Sequence, residues 1–414
     1  MQFTRFLRNG SVTAAEMSRH AGRLTADRVA SREVMAIQDT SELALGGRRA
    51  RAAGYGPVGK GGAVGGLLLH PVLAVDAGSG ELLGLVSMEV WNRTGGKVTA
   101  RRKRVTADKE SRRWLDGMRQ ASEVLAQAAG VTVVSDREAD SYELFAQRPA
   151  NVHLIIRACQ DRRIEQAPQE PRGELLFSFI DRQPEQGRFV VTIPAAPRRK
   201  ARSAELVARF APAVLRKPLN GADAALPGTV AVTLVDVREV SQPSDGSEPL
   251  HWRLATTHAV SNLAEARRII DLYRQRWIIE EFFHTLKTAG FDIEAADIGE
   301  PRAMINFVAA ATVAAVTVKQ LVQARDGNTK QRLTDAFDPD DQPVIEAVSA
   351  KLEGKTARQR NPHPKGTLAF AAWVMARLGG WTGYYGKPGA QVMRRGIEEF
   401  RAIKYGATLE LQNV

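Results

Sequence analysis

Two acids and one four-residue stripe are the parts of this sequence with the types and spacing to do chemistry. Asp39 closes the apolar run VMAIQD, and Asp136 closes VTVVSD. Acids at the C-terminal ends of buried strands project from the rim of a sheet, a usual place for ligand sites in α/β proteins. Taken singly, each reads more readily as a turn former or a helix cap. Farther along, the spacing predicts one long helix over 262–289. At about 100° per residue, Tyr273, Arg276, Glu280 and Lys287 fall at roughly 0°, −60°, −20° and −40°, a stripe about 60° wide. Leu272, Ile279, Phe283 and Leu286 form the adjoining core face. The stripe is either the edge of an active site or a solvated face laced with i,i+4 ion pairs, and geometry alone leaves both open.

A third carboxylate, Glu280, would complete a mechanism. Three acids meeting at one sheet edge repel, at about 4 kcal/mol per pair for a separation near 4 Å and an effective dielectric near 20. Divalent cations remove that cost, and hard oxygen ligands suit Mg²⁺ or Mn²⁺. Two such ions about 3.5–4 Å apart stabilise both the attacking and leaving oxygens of an in-line phosphoryl displacement. Arg276 and Lys287 would then meet phosphates, the first as a planar fork and the second as a point charge.

The elements that must position these groups follow from patterning. Residues 1–30 read as basic helices with caps at Ser11 and Thr25, and 33–39 as a buried strand. A Gly- and Arg-rich loop (46–66) leads to two strands, 67–75 and 82–90, joined by the turn AGSGE. After the basic run 97–113, a helix is expected over 109–129, closed by Gly130, then strand 131–134, helix 138–147 and strand 152–157. This order suits a mixed sheet with helices packed on it. Period-two alternation at 175–180, 189–193, 230–237 and 252–255 marks 160–257 as a β-rich insertion, and 300–414 reads as helical with a turn-rich break at 355–366. The expected division is 1–30, a catalytic domain at 31–299 and a helical C-terminal domain at 300–414.

Composition narrows the class. The chain has 414 residues, 44% hydrophobic and 25% charged, with 58 Lys and Arg against 46 Asp and Glu, net +12. Basic proteins of this size often meet a polyanion. The alternative is an arginine-rich protein with no such partner. Cys159 is the only cysteine, which excludes an internal disulfide and a cysteine-rich zinc site. No apolar run reaches the roughly 18 residues of a membrane helix. A reducing cytoplasm is expected, with the protein on the nucleoid.

At these residues the chain resembles the bacterial cut-and-paste DDE transposases of the insertion-sequence-four family. That family carries Tyr, Arg, Glu and Lys at intervals of 3, 4 and 7, which here are Tyr273, Arg276, Glu280 and Lys287 within YRQRWIIEEFFHTLKTAG. IQDT is similar to the first-Asp block and marks Asp39. SDREAD, followed by Tyr142, is similar to the second and marks Asp136. KESRRWL (109–115) is similar to a block between them. The resemblance implies an RNase H-like fold, with Asp39, Asp136 and Glu280 as ligands to two Mg²⁺ or Mn²⁺ ions and the other three stripe residues on DNA phosphates. It also implies that Trp252 stacks on a flipped base, that Arg157 contacts DNA backbone, and that the C-terminal helices dimerise on double-stranded DNA. Cleavage would pass through a hairpin before strand transfer to target DNA. Family members usually carry several dozen residues ahead of the block like FTRFLRN (3–9), so the resemblance also implies a missing end-binding domain. The competing expectations are an inhibitor-like regulator that pairs with longer transposase, and a stand-alone nuclease.

Overall fold

A computed structural model describes residues 2–46, 50, 53–93, 112–165, 174–193, 201–219, 223–243 and 246–411. The basic cluster Arg101, Arg102, Lys103 and Arg104, the first part of KESRRWL and part of the Gly/Arg-rich loop lie outside these. The chain forms two compact units, one of residues 1–34, 40–95 and 278–414, the other of 35–39 and 96–277. It opens with α1 (Gln2–Arg8), α2 (Ala14–Ala26) and β1 (Glu33–Gln38).

In the first unit, strand β4 (Val64–Asp76) is the hub, paired antiparallel with β2 (Ser41–Ala44), β3 (Gly56–Val58) and β5 (Leu82–Trp91). The run LLLHPVLAV is buried on both faces, which is why it reads as continuous rather than alternating. The β4–β5 turn forms as expected, because the Asp76 carboxylate accepts from the N–H groups of Gly78 (3.0 Å) and Ser79 (2.9 Å). Helix α2 packs on β5. Its N-cap is Thr13, which accepts from Glu16 N–H at 3.2 Å, and not Ser11. Thr25 is no cap either. It sits buried inside α2, donating to the carbonyls of Ala21 and Leu85, an anchor the tertiary contact with β5 selects.

The second unit holds a mixed sheet in the order β1, β6 (Gly130–Ser135), β7 (Val152–Arg157), β13 (His251–Thr256), β12 (Thr229–Glu239), β11 (Arg202–Arg216), β8 (Arg163–Ile164) and β9 (Glu174–Leu175), with β10 (Gly187–Ile193) also on β11. Strands β6 and β7 are parallel, and β7 to β9 pair antiparallel. Helices α3 (Arg112–Val124), α4 (Tyr142–Ala146) and α6 (Leu263–Arg274) complete it. Helix α3 stops at Val124, and Gly130 opens β6 rather than capping the helix. Residues 176–181 fold as helix α5 (Leu176–Asp181) and not as a strand. Leu176, Phe179 and Ile180 are the buried positions, an i, i+3, i+4 pattern that alternation across Leu175, Phe177 and Phe179 had masked. The 15-residue β11, Ala-rich and carrying Pro212, gave no strand signal in sequence.

The remainder of the first unit is helical: α7 (Trp277–His284), α8 (Pro301–Ala324), α9 (Asp341–Leu352), α10 (Leu368–Leu378) and α11 (Ala390–Leu411). Leu321, Leu333, Ile345, Trp373, Met393 and Phe400 are among the side chains of one shared core. Contrary to the expectation that no apolar run is long enough, helix α8 is long and apolar enough to cross a membrane, yet 61% of its most apolar window is buried within the protein, as in a core helix. The architecture is mixed α/β, consistent with an RNase H-like fold.

Candidate active site

The second unit brings six of the expected residues to one neighbourhood. Asp39 follows β1, and Asp136 follows β6, the adjacent strand. In the parallel β6–β7 pair, Ser135 faces Ile156, so Asp136 and Arg157 are the next residues on each chain. Leu254 of β13 sits opposite Arg157, and Trp252 lies two residues farther out. Each acid stands where an apolar strand ends, because burial of the strand holds its backbone and leaves the following residue at the rim.

Helix α6 supplies the other side. Tyr273 is buried, 5% exposed, with the Trp252 ring set edge-on at 5.6 Å between centroids. Burial pushes the Tyr273 hydroxyl above its usual range. A hydrogen bond with Arg276 and the charges of Arg276 and Arg157 oppose that shift, and the charge of Asp136 adds to it. Arg276 also donates to Asp39 Oδ2 at 2.9 Å, with both side chains 15% exposed. Arg276 thus ties the first acid to Tyr273, whose hydroxyl feels the second. Asp136 is half-buried, caps the 3₁₀ turn Arg137–Ala139 by accepting from Glu138 N–H at 2.9 Å, and has no ion-pair partner among the described residues. The cap role and the rim position coexist. Arg157 donates to the His251 carbonyl at 3.3 Å.

The helix expected over 262–289 is not continuous. It breaks after Arg274, where Gln275 and Arg276 close 3₁₀-like bonds to Leu272 and Tyr273, and it resumes as α7. Thr285–Ala289 then form a π-helical turn. Uniform 100° steps therefore do not hold across the stripe, since tightening and widening of turns re-aim side chains at functional segments. Glu280 is half-buried in the first turn of α7. Lys287, in the π turn, pairs with Glu294 at 3.6 Å and donates to the Glu42 carbonyl.

Two acids escaped the sequence reading. Asp236 is fully buried in β12, with Arg238 Nε at 2.8 Å, His251 Nε2 at 2.9 Å and Arg253 Nε at 3.3 Å. Its burial would raise the carboxyl pKa, but hydrogen bonds from His251 and Arg238 outweigh it and leave the group below its usual range. His251 and Arg253 flank Trp252, so this anion fixes the strand on both sides of the tryptophan. The available signal was an acid inside the apolar run TLVDV. Asp140 is the second, accepting from the N–H groups of Cys159 (2.7 Å) and Gln160 (2.8 Å) and pairing with Arg162, which orders the chain just past Arg157.

The chain matches the family described as the transposase DDE domain over residues 45–316, more than half its length. It belongs to that family. The matched segment contains Asp136, Arg157, Trp252, Tyr273, Arg276, Glu280 and Lys287, and Asp39 lies just ahead of it. This member is a DDE transposase, an enzyme class that acts on DNA and generally uses divalent metal ions. Among the described residues, no group of three or more His, Cys, Asp or Glu side chains is arranged to hold an ion. The donor chemistry nonetheless fits a divalent cation. Two carboxylates end neighbouring strands, and one of them holds a cationic guanidinium against it.

Proposed function

We propose that the protein cuts transposon-end DNA through Asp39, Asp136 and Glu280 as metal-binding carboxylates, with a pair of Mg²⁺ or Mn²⁺ ions. When bound, such ions would stabilise the entering and departing oxygens of a phosphodiester. The protein's own groups do the positioning. Arg276, as a planar fork, shifts from Asp39 to a non-bridging phosphate oxygen once the carboxylate is otherwise neutralised. Lys287 and Arg157 add charge along the backbone. The Tyr273 hydroxyl, held protonated by burial, donates a hydrogen bond, and its ring, edge-on to Trp252, keeps the tryptophan oriented. A freed 3′-hydroxyl would attack the opposite strand to form a hairpin, and Trp252 would steady the extruded base by stacking. Strand transfer into target DNA would follow, in a homodimer on the two ends.

The observation that carries this reading is the bond from Arg276 to Asp39 beside Tyr273 and Asp136. It gathers signature residues far apart in sequence around two rim acids. The test is Glu280→Ala. Mg²⁺-dependent cleavage of end DNA should vanish while the melting temperature barely moves, and retained cleavage would refute the assignment. A chain that binds end DNA, leaves it uncut and inhibits longer transposase would instead be a regulator.

A further inference from the structure

Within the helical part of the first unit lies a cavity of about 390 Å³ whose chemistry the carboxylate site does not use. Its walls include Trp373 and Trp381, four basic side chains (Arg325, Arg358, Arg360, Lys387) and one carboxylate, Asp326. That carboxylate is matched by Lys387 at 2.8 Å. Neither Arg358 nor Arg360 has an ion-pair or hydrogen-bond partner for its guanidinium among the described residues, and both are exposed. Arg325 donates to the Pro388 carbonyl at 2.8 Å, yet its buried Nε makes no hydrogen bond. Arg325 Nε lies 3.9 Å from Asp326, so the cavity's donors without a partner among the described residues are the guanidinium groups of Arg358 and Arg360, lining the same space as Trp373 and Trp381.

The walls are built rather than incidental. A capping box between Thr356 and Gln359 fixes the 3₁₀ turn that carries Arg358 and sets Arg360 just beyond it. The opposite wall is a glycine-rich loop that only positive φ angles allow to turn so tightly, at Gly380 (92°), Gly383 (88°) and Gly386 (60°). Arg377 straps that loop, donating to the carbonyls of Trp381 (3.2 Å) and Thr382 (2.5 Å) while lying over the Trp373 ring at 5.7 Å. Trp381 Nε1 closes it on the Gly386 carbonyl at 3.1 Å. Tyr384 and Tyr385 follow, 49% and 87% exposed.

We infer that this cavity is a nucleotide pocket, taking one unpaired base with its phosphate. The volume suits a small ligand and is too small for a duplex. The half-buried Trp381 suits a base, because stacking on an aromatic face tolerates any sequence, with Trp373 buried beneath Arg377 as the floor of the wall. Arg358 and Arg360 offer the planar forks that match a phosphate, and tyrosines beside the pocket offer faces to the neighbouring bases. The inference goes beyond the cleavage reading and needs none of its carboxylates. The ligand could be a free nucleotide or one unit of a DNA strand, since both present the same base and phosphate.

The experiment uses the full chain, irradiated with a short single strand carrying 5-iododeoxyuridine, and maps the adducts on the protein. Adducts are expected in the segment 378–394, which holds Trp381, Tyr384 and Tyr385. Arg358→Ala with Arg360→Ala should cut the yield there about tenfold. It should also lower the log–log salt slope of strand binding by about 0.7, the value for one lost phosphate contact. Melting should be unchanged, because neither side chain has a partner among the described residues to lose. The Lys–Lys double variant should restore much of the yield. Competition by free dAMP would assign the pocket to free nucleotides, and competition by unlabelled strand alone would assign it to DNA. Absence of adducts in this segment, yields unaltered in the double Ala variant, or competition by neither would overturn the inference, whatever the cleavage assay shows.

Discussion

Two kinds of acid in the second unit meet arginines in opposite ways. Asp236 is fully buried, ringed by Arg238, Arg253 and His251, and belongs to the insertion. Asp39 and Asp136 stand half-buried where strands end, the first paired with Arg276 and the second with no ion pair among the described residues. A buried carboxylate must have its charge satisfied by protein in the folded state, because water cannot reach it. A rim carboxylate needs no such enclosure and stays available to a ligand. Burial together with cationic enclosure thus separates an acid that holds structure from one that can bind.

The sharpest way to break the contrast is Asp136→Asn. If the rim acid is a ligand, cleavage of end DNA should fall at least about a thousandfold, roughly 4 kcal/mol of transition-state stabilisation, with melting little changed. An equal loss of stability would put Asp136 with Asp236. The reverse pattern is expected of Asp236→Ala, a loss of about 1–3 kcal/mol in denaturant unfolding, because it removes the buried acceptor shared by Arg238, Arg253 and His251 while the two arginines keep Asp181. Less than about 1 kcal/mol would show the network to be dispensable. Trp252→Ala should weaken hairpin stabilisation by about 1–3 kcal/mol, read as slowed hairpin formation with nicking intact. Equal slowing of both steps would remove the stacking role.

The smallest effect concerns pH. His258 stacks on His153 at 4.0 Å between ring centroids, and burial, with the charges of His153, Arg268 and Arg148, lowers its pKa to about 4. A depressed folded-state value means the unfolded chain binds the proton first. This contribution is complete above pH about 6.5 and is lost as pH falls towards about 4. Urea midpoints of His258→Gln should therefore be flatter than wild type across that window, and parallel curves would dismiss the contribution.

Much of this was readable beforehand. Strands β1, β6 and β7 announced themselves as apolar runs ending at Asp39, Asp136 and Arg157, since burial on both faces leaves a continuous hydrophobic signature. The β4–β5 turn was legible because Asp and Gly have local reasons to turn there. The misreadings share one cause. Thr25, helix α5, β11 and the break at Gln275–Arg276 are each decided by what the segment packs against, and period counting sees only the segment itself.

The sequence by itself determined which residue types could do phosphoryl chemistry and in what order they occur, because spacing and side-chain chemistry are local properties. Only the tertiary structure decided that Arg276 rests on Asp39, that Asp236 anchors the strand under Trp252, and that Arg358 and Arg360 face a tryptophan-walled cavity. Those relations join positions far apart along the chain, and distance in sequence carries no information about proximity until the backbone has folded.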